Sequence, residues 1–189
     1  PEGSDLRNQK SKNHIEYLTP SDAEDIPELV ALKFRPGQGN VDDYNVACAV
    51  AIPLMRVEEM YFIKAEAEAH SNPSQGIATL TDFMTKYRDA EYSSKASTEE
   101  AAIDEIIFQK RVELWGEGLL FFDYKRLNMS VNRGYSGTPF FEALRLNTNG
   151  RPAWMNLVIS VSEYQDNQAV NHWNNPDPSD LYTPWTPEE

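Results

Sequence analysis

The sequence predicts a mainly α fold: a helical hairpin followed by a long buried helix, with loop-rich segments at both ends. Three observations predict it. Helical periodicity runs from Ile52 to Arg88 and is interrupted only at Asn72-Pro73. A second periodic stretch opens at Ser97 and continues to about Leu127. Outside these stretches prolines, glycines and polar turns break every long period.

Residues 1–51 read as a loop-rich lead-in. Pro20, Pro27 and Pro36, with Gly37 and Gly39, interrupt regular structure, and a short extended piece is expected from Val30 to Phe34. A helix is expected over Ile52 to Pro73, with Pro53 in its first turn. Leu54, Val57, Tyr61 and Ala65 form one expected stripe, and Met60, Ile63 and Ala67 a second. Ala65, Ala67 and Ala69 leave room for another helix to approach closely. Asn72 is placed to cap the next helix, with Pro73 at its first position. That helix should run to about Arg88 on a stripe of Ile77, Leu80, Met84 and Tyr87. The turn between the two is so short that they must pack antiparallel.

After the polar connector "DAEYSSKAS", Ser97 and Glu100 have capping-box spacing. The third helix carries two apolar stripes: Phe108, Val112, Trp115, Leu119 and Phe122 on one side, Ile103, Ile107, Leu114 and Phe121 on the other. A helix apolar on two sides is buried on two sides, so Leu114, Trp115, Phe121 and Phe122 are expected in the interior. Residues 52–128 thus form a helical scaffold and residues 129–189 a loop-rich tail. In that tail "MNLVISVSEY", Met155 to Tyr164, begins like a strand. No second copy of a fixed-period repeat is found.

Composition narrows the function. The chain has 189 residues, with 30 acidic against 17 basic side chains and a net charge of −13. That field repels phosphate backbones and anionic membrane faces, so nucleic-acid binding is not expected. The one cysteine, Cys48, makes no internal disulfide and belongs to no zinc pattern. It reads as a small buried apolar residue. The opening "PEGSDLRNQKSKN" reads as the interior of a longer protein.

Glu113 and Glu117 stand four apart within "RVELWGEGLLFFDYKRL". On a helix that spacing separates Cβ atoms by about 5–6 Å, close to the ~5–5.5 Å of a retaining glycosidase pair. Two carboxylates on one helix face project side by side, however, and cannot flank a sugar. Lys110 and Arg126 supply charge partners nearby, for Glu113 and Asp123 respectively. Structural ion pairing is the better reading. Gly116 and Gly118, each costing about 1 kcal/mol in a helix, indicate a close backbone contact or a kink. "NNPDPSD", Asn174 to Asp180, lacks EF-hand spacing and reads as a solvated turn. No metal site and no cofactor are expected. The loop aromatics Tyr135, Trp154, Trp173, Tyr182 and Trp185 have polar neighbours. Such faces suit sugar rings, or they anchor loops to the core. Trp154, Trp173 and Tyr135 are the candidate ligand-binding residues, with no catalytic residue proposed.

These residues resemble a family. "RVEEMYFIKAEAEAHSNPSQGIATLTDF", Arg56 to Phe83, is similar to the "R-x-x-E-x-x-L-x-x-A-E-A" helix and following "NP-x-x-A" helix of SusD/RagB nutrient-binding lipoproteins. Arg56, Glu59, Ala65, Glu66 and Ala67 fall on that pattern. Glu113, Leu114, Glu117, Gly118, Asp123 and Arg126 match the family's "ER-x-x-EL-x-x-EG-x-R-x-x-DL-x-R" signature. "ISVSEYQDNQAVNHWNNPDP" resembles its closing segment. The chain departs at Gln109-Lys110, Leu120, Tyr124 and Ser160. The first two departures replace a Glu and two Arg of the signature and match the loss of an internal ion pair.

The resemblance implies a tetratricopeptide-like scaffold forming the C-terminal portion of a longer, non-catalytic protein. It implies glycan or nutrient binding in an outer-membrane uptake system of Bacteroidota. The expected partners are a SusC-like TonB-dependent transporter and an oligosaccharide or other nutrient. The expected place is the cell surface, with a lipid anchor on an N-terminal segment that Cys48 cannot supply. Two other readings are a helical protein-association scaffold without a small-molecule ligand, and a carbohydrate-active enzyme.

Overall fold

The computed structural model describes residues 34, 45, 52–156, 159–170, 173–174 and 182–184. The expectations for the lead-in, the extended piece before Phe34, Cys48, the turn after Asn174 and Trp185 fall outside the described residues. The chain is mainly helical and divides into two compact units between Glu117 and Gly118.

Among the described residues the first unit is built on three helices. The hairpin forms as expected: α1 spans Val57–Ala69 and α2 spans Pro73–Tyr87. Asn72, in extended conformation, precedes Pro73 at the first helical position of α2. Its side chain makes no capping bond; its carbonyl instead accepts from the amides of Gln75 and Gly76. Pro53 and Leu54 lie before α1 rather than in it. The expected stripes of α1 hold only in part: Ala65 is buried and Tyr61 packs against the core, but Leu54, Val57, Met60, Ile63 and Ala67 are exposed, and the inward face is Phe62, Ala65, Glu66 and Ala69. On α2, Leu80 and Met84 are buried as expected, joined by Gly76, Thr79 and Phe83.

The reason is the closeness of the two helices. A Cβ on Gly76 would stand 2.5 Å from the Ala65 carbonyl oxygen and 2.6 Å from the Ala69 Cβ. Backbones that near admit only small side chains at the contact, so the interior face carries alanine and glycine while larger aliphatics point outward. Gly76→Ala is therefore expected to destabilise the protein by about 1–2 kcal/mol, the overpacking cost less the helix propensity gained. Urea unfolding checks this, and a stabilised variant would contradict it.

A connector leads to α3, Glu99–Glu113. The Tyr92 hydroxyl donates to the Glu105 carboxylate, as does Ser94 at 2.6 Å. The cap of α3 is Thr98, whose hydroxyl accepts from the Ala101 amide at 3.2 Å, and not the expected Ser97. Ala102 and Ile106 join Phe62, Phe83, Leu80 and Met84 of the hairpin in the core, and Ile107 is buried as well.

The long helix does not run to Leu127. It ends at Glu113, and Gly116 and Gly118 adopt left-handed φ of 77° and 82°. L side chains rarely take that conformation, so the two glycines permit a full break. Gly116 is also a close contact, since a Cβ there would sit 2.4 Å from the Phe34 ring. The break corrects the burial forecast. Leu114 is fully buried, but Trp115 is 53% exposed, Phe121 43% and Phe122 65%. Periodicity carried across the glycines has no structural meaning, and Phe108 faces out as well. Trp115 rests against Phe34, with ring centroids 6.1 Å apart.

The second unit begins with α4, Leu120–Arg126. Phe121 and Phe122 meet edge to face at 5.7 Å, and the Lys125 ammonium stands 5.3 Å over the Phe121 ring. β1, Leu146–Thr148, pairs antiparallel with β2, Tyr182–Pro184. The expected strand start at Met155 is not formed. Ala153–Met155 is a 3-10 turn, and Val161–Asp166 forms α5, capped by Ser160.

Candidate functional site

Two clusters contain the residues singled out by sequence. In the first unit, Glu113 at the end of α3 is gripped by two arginines. Arg88 donates from Nε and Nη2 to its two oxygens, both at 2.7 Å, and Arg56 donates from Nη2 at 2.7 Å. Arg56 also donates to the Glu117 carboxylate at 2.8 Å and to the Glu113 carbonyl at 3.2 Å. Glu58 pairs with both arginines, at 3.0 and 3.1 Å. Arg56 thus does three jobs. It neutralises two carboxylates, caps the carbonyl end of α3, where a cation is favoured, and ties the start of the hairpin to the glycine break.

The Glu113 side chain is 4% exposed. Burial pushes its carboxyl up, but Arg88 and Arg56 outweigh it and hold the group below the usual carboxylate range. The Glu58 carboxyl is also lowered: burial opposes it, and its backbone hydrogen bond and Arg56 prevail. Burial pulls the Arg56 guanidinium down while Glu117 and Glu113 raise it further, and it stays above its ordinary value. Arg88 is raised chiefly by its bond to Glu113. A glycosidase acid must hold a proton near neutral pH, which needs a raised carboxyl. Glu113 is shifted the opposite way, and both candidate carboxylates are bound by arginine. The cluster is a structural clasp.

One expected pairing is present, and Glu113 has further partners. Asp123 does pair with Arg126, at 2.8 Å. Glu113 is held from other elements, by residues 57 and 25 positions away. The Arg56 match in the family pattern was the signal in the sequence, since it stands in the same motif set as Glu113 and Glu117.

In the second unit, β1 organises the loop that bears Tyr135. The Asn147 side-chain oxygen accepts from the amides of Arg133 and Gly134 at 3.1 and 2.9 Å, and its amide donates to the Gly134 carbonyl at 3.4 Å. The Thr148 hydroxyl accepts from the Val131 amide at 2.8 Å and donates to the Gly150 carbonyl at 2.7 Å. Asn128 accepts from the Arg151 amide at 3.0 Å. The Tyr135 loop and the turn before Trp154 are therefore pinned to the same short strand.

There the Arg133 guanidinium lies over two rings, 5.1 Å from Phe140 and 5.8 Å from Trp154. Tyr135 and Phe140 are partly exposed, and Trp154 is 43% exposed. Arg133 and Phe140 were not among the sequence candidates; the run "NRGYSGTPFF" reads only as turns. Trp173 is 78% exposed and stands on another segment. Its neighbour Asn174 is fixed to the Ile159 main chain by bonds of 3.0 and 3.3 Å. Among the described residues no group of three or more His, Cys, Asp or Glu could hold a metal ion, and no helix is long and apolar enough to cross a membrane.

The chain matches the SusD family over residues 45–184. No curated protein matches it. Among solved structures it is similar to a SusD-like carbohydrate binding protein from Bacteroides vulgatus, with a TM-score of 0.52 and 24% identity over 75% of this chain. That likeness is one of fold. The chain spans 34% of the length of that structure.

Proposed function

The chain belongs to the SusD family, and on that premise we propose that it is the C-terminal portion of a non-catalytic glycan- or nutrient-binding protein of an outer-membrane uptake system. Its partners in this reading are a SusC-like TonB-dependent transporter and an oligosaccharide or other nutrient. Its place is the cell surface, with a lipid anchor on an N-terminal segment. Residues 1–51 lead into the helical scaffold of 52–128, and 129–189 form the loop-rich tail that meets ligand.

The observation that carries the binding role is the partly exposed Trp154 ring with the Arg133 guanidinium over it and Phe140 also within that guanidinium's reach. A flat apolar ring accepts the C–H face of a sugar, and a neighbouring donor fixes its oxygens. Trp173 and Tyr135 are proposed as further contacts on their exposure. The similar Bacteroides vulgatus protein, described as carbohydrate binding, supports the ligand class. The non-catalytic reading draws support from the clasp, which occupies both helix carboxylates.

Calorimetry against a panel of polysaccharides tests this. Heat is expected with at least one glycan, and Trp154→Ala is expected to weaken that binding about tenfold or more, as loss of an aromatic anchor does. No heat with any glycan or peptide would leave the helical association scaffold as the better reading. Release of reducing sugar by the native protein would favour the enzyme. Upstream coding sequence tests the location: a signal peptide followed by a lipidation cysteine is expected, and a cytoplasmic start contradicts it.

A further inference from the structure

We infer that the Arg133–Trp154–Phe140 surface selects an anionic glycan, one bearing a carboxylate or sulfate group. The inference rests on the glycan-binding reading and adds the substrate class.

The guanidinium of Arg133 stands between two partly exposed aromatic rings, at 5.1 and 5.8 Å. The rings hold it in place without neutralising it, because their attraction is to the quadrupole face. Among the described residues no carboxylate pairs with Arg133. This contrasts with Arg56 and Arg88, whose charges are taken up by Glu113 and Glu58. An arginine kept charged and half-buried beside an exposed tryptophan offers a planar fork of donors that matches a carboxylate or sulfate.

Local charge supports the same ligand. The chain carries a net charge of −13. Yet the segment 128–156, which holds the whole platform, has three arginines (Arg133, Arg145, Arg151) and one acid (Glu142), a net of +2. Arg145 lies at the platform too, donating from Nε to the Phe140 carbonyl at 2.7 Å. At physiological ionic strength charges beyond about 8 Å are largely screened, so the overall acidity of the chain does not by itself bar an anion from Arg133.

The test compares isosteres by calorimetry on the purified protein. Oligogalacturonate and its methyl ester share a backbone and differ in the charge of the carboxyl group and one methyl, and dextran sulfate and dextran supply the sulfate arm. At least one anionic member is expected to bind tenfold or more tightly than its neutral counterpart, and the preference should shrink as salt is raised. The arm that shows it names the anion. Arg133→Gln is expected to abolish the preference while keeping residual neutral binding. Asn147 holds the Arg133 and Gly134 backbone independently of the side chain, so the loop remains in place, as an unchanged melting temperature would show. Equal binding of charged and neutral partners overturns this inference alone. Failure of every glycan overturns it together with the binding role. A preference that survives Arg133→Gln, or that ignores salt, places the anion elsewhere and also overturns it.

Discussion

Glu113→Gln is expected to lower the free energy of unfolding by about 3–5 kcal/mol, the range for breaking a buried ion pair by removing one partner. The side chain keeps its shape, so the loss is electrostatic. Of their carboxylate partners Arg88 would retain Glu58, and Arg56 would retain Glu58 and Glu117, while both remain about four-fifths covered. The amide offers one acceptor in place of the two oxygens that receive three N–H bonds. Urea unfolding reads the change, and a loss under about 1 kcal/mol, the size of an exposed pair, would contradict the clasp. The acid limb gives a second reading of the same residue. A carboxyl lowered in the fold contributes stability that is complete above its unfolded value of 4.5 and is lost as pH falls through the lower folded value. Native stability should therefore fall as pH drops from 4.5 through the lower folded value, and the variant should show a shallower fall.

Phe83→Ala should cost about as much, roughly 3–5 kcal/mol, by opening a cavity in the hairpin core. Phe83 is fully buried. Its ring centroid lies 5.1 Å from Tyr61, 5.3 Å from Phe62 and 5.7 Å from Tyr87, and the Arg88 guanidinium sits 5.2 Å over it. The aromatic packing thus continues into the clasp through Arg88. For a chain of this size the loss corresponds to a drop in melting temperature of about 10 °C. Phe83→Leu, which refills most of the space, should lose about a third of that. Equal loss from both variants would mean that packing volume is not what Phe83 supplies.

The hairpin was legible because its punctuation is local: Asn72-Pro73 ends one helix and starts the next whatever surrounds it. The face of α1 was legible only in part: its alanines announce a close approach, which Ala65 and Ala69 make, but which larger residues then point outward is chosen by helix proximity. Ala65 and Ala69 go inward because Gly76 meets them, and the larger Met60 and Ile63 are left outside. The two glycines signal a contact or a kink, and both descriptions hold at Gly116. Helical periodicity continues past them although the helix does not, which is why it misplaces Trp115, Phe121 and Phe122. The clasp joins residues far apart in the chain, so no local pattern could pair Arg88 with Glu113. Trp154 was legible as an aromatic in a polar loop. Its neighbour Arg133 was not, since the two meet only through the hydrogen bonds of Asn147 and Thr148 on a three-residue strand.

The division of labour between a structural clasp and a binding loop is tested most directly by one titration. A glycan bound by the native protein is titrated calorimetrically into Trp154→Ala and into Glu117→Gln, each confirmed folded by circular dichroism. The account predicts that Trp154→Ala loses most of the heat and that Glu117→Gln binds with native affinity. Native binding by Trp154→Ala together with loss in Glu117→Gln would contradict it, returning the ligand to the carboxylates of the helix break.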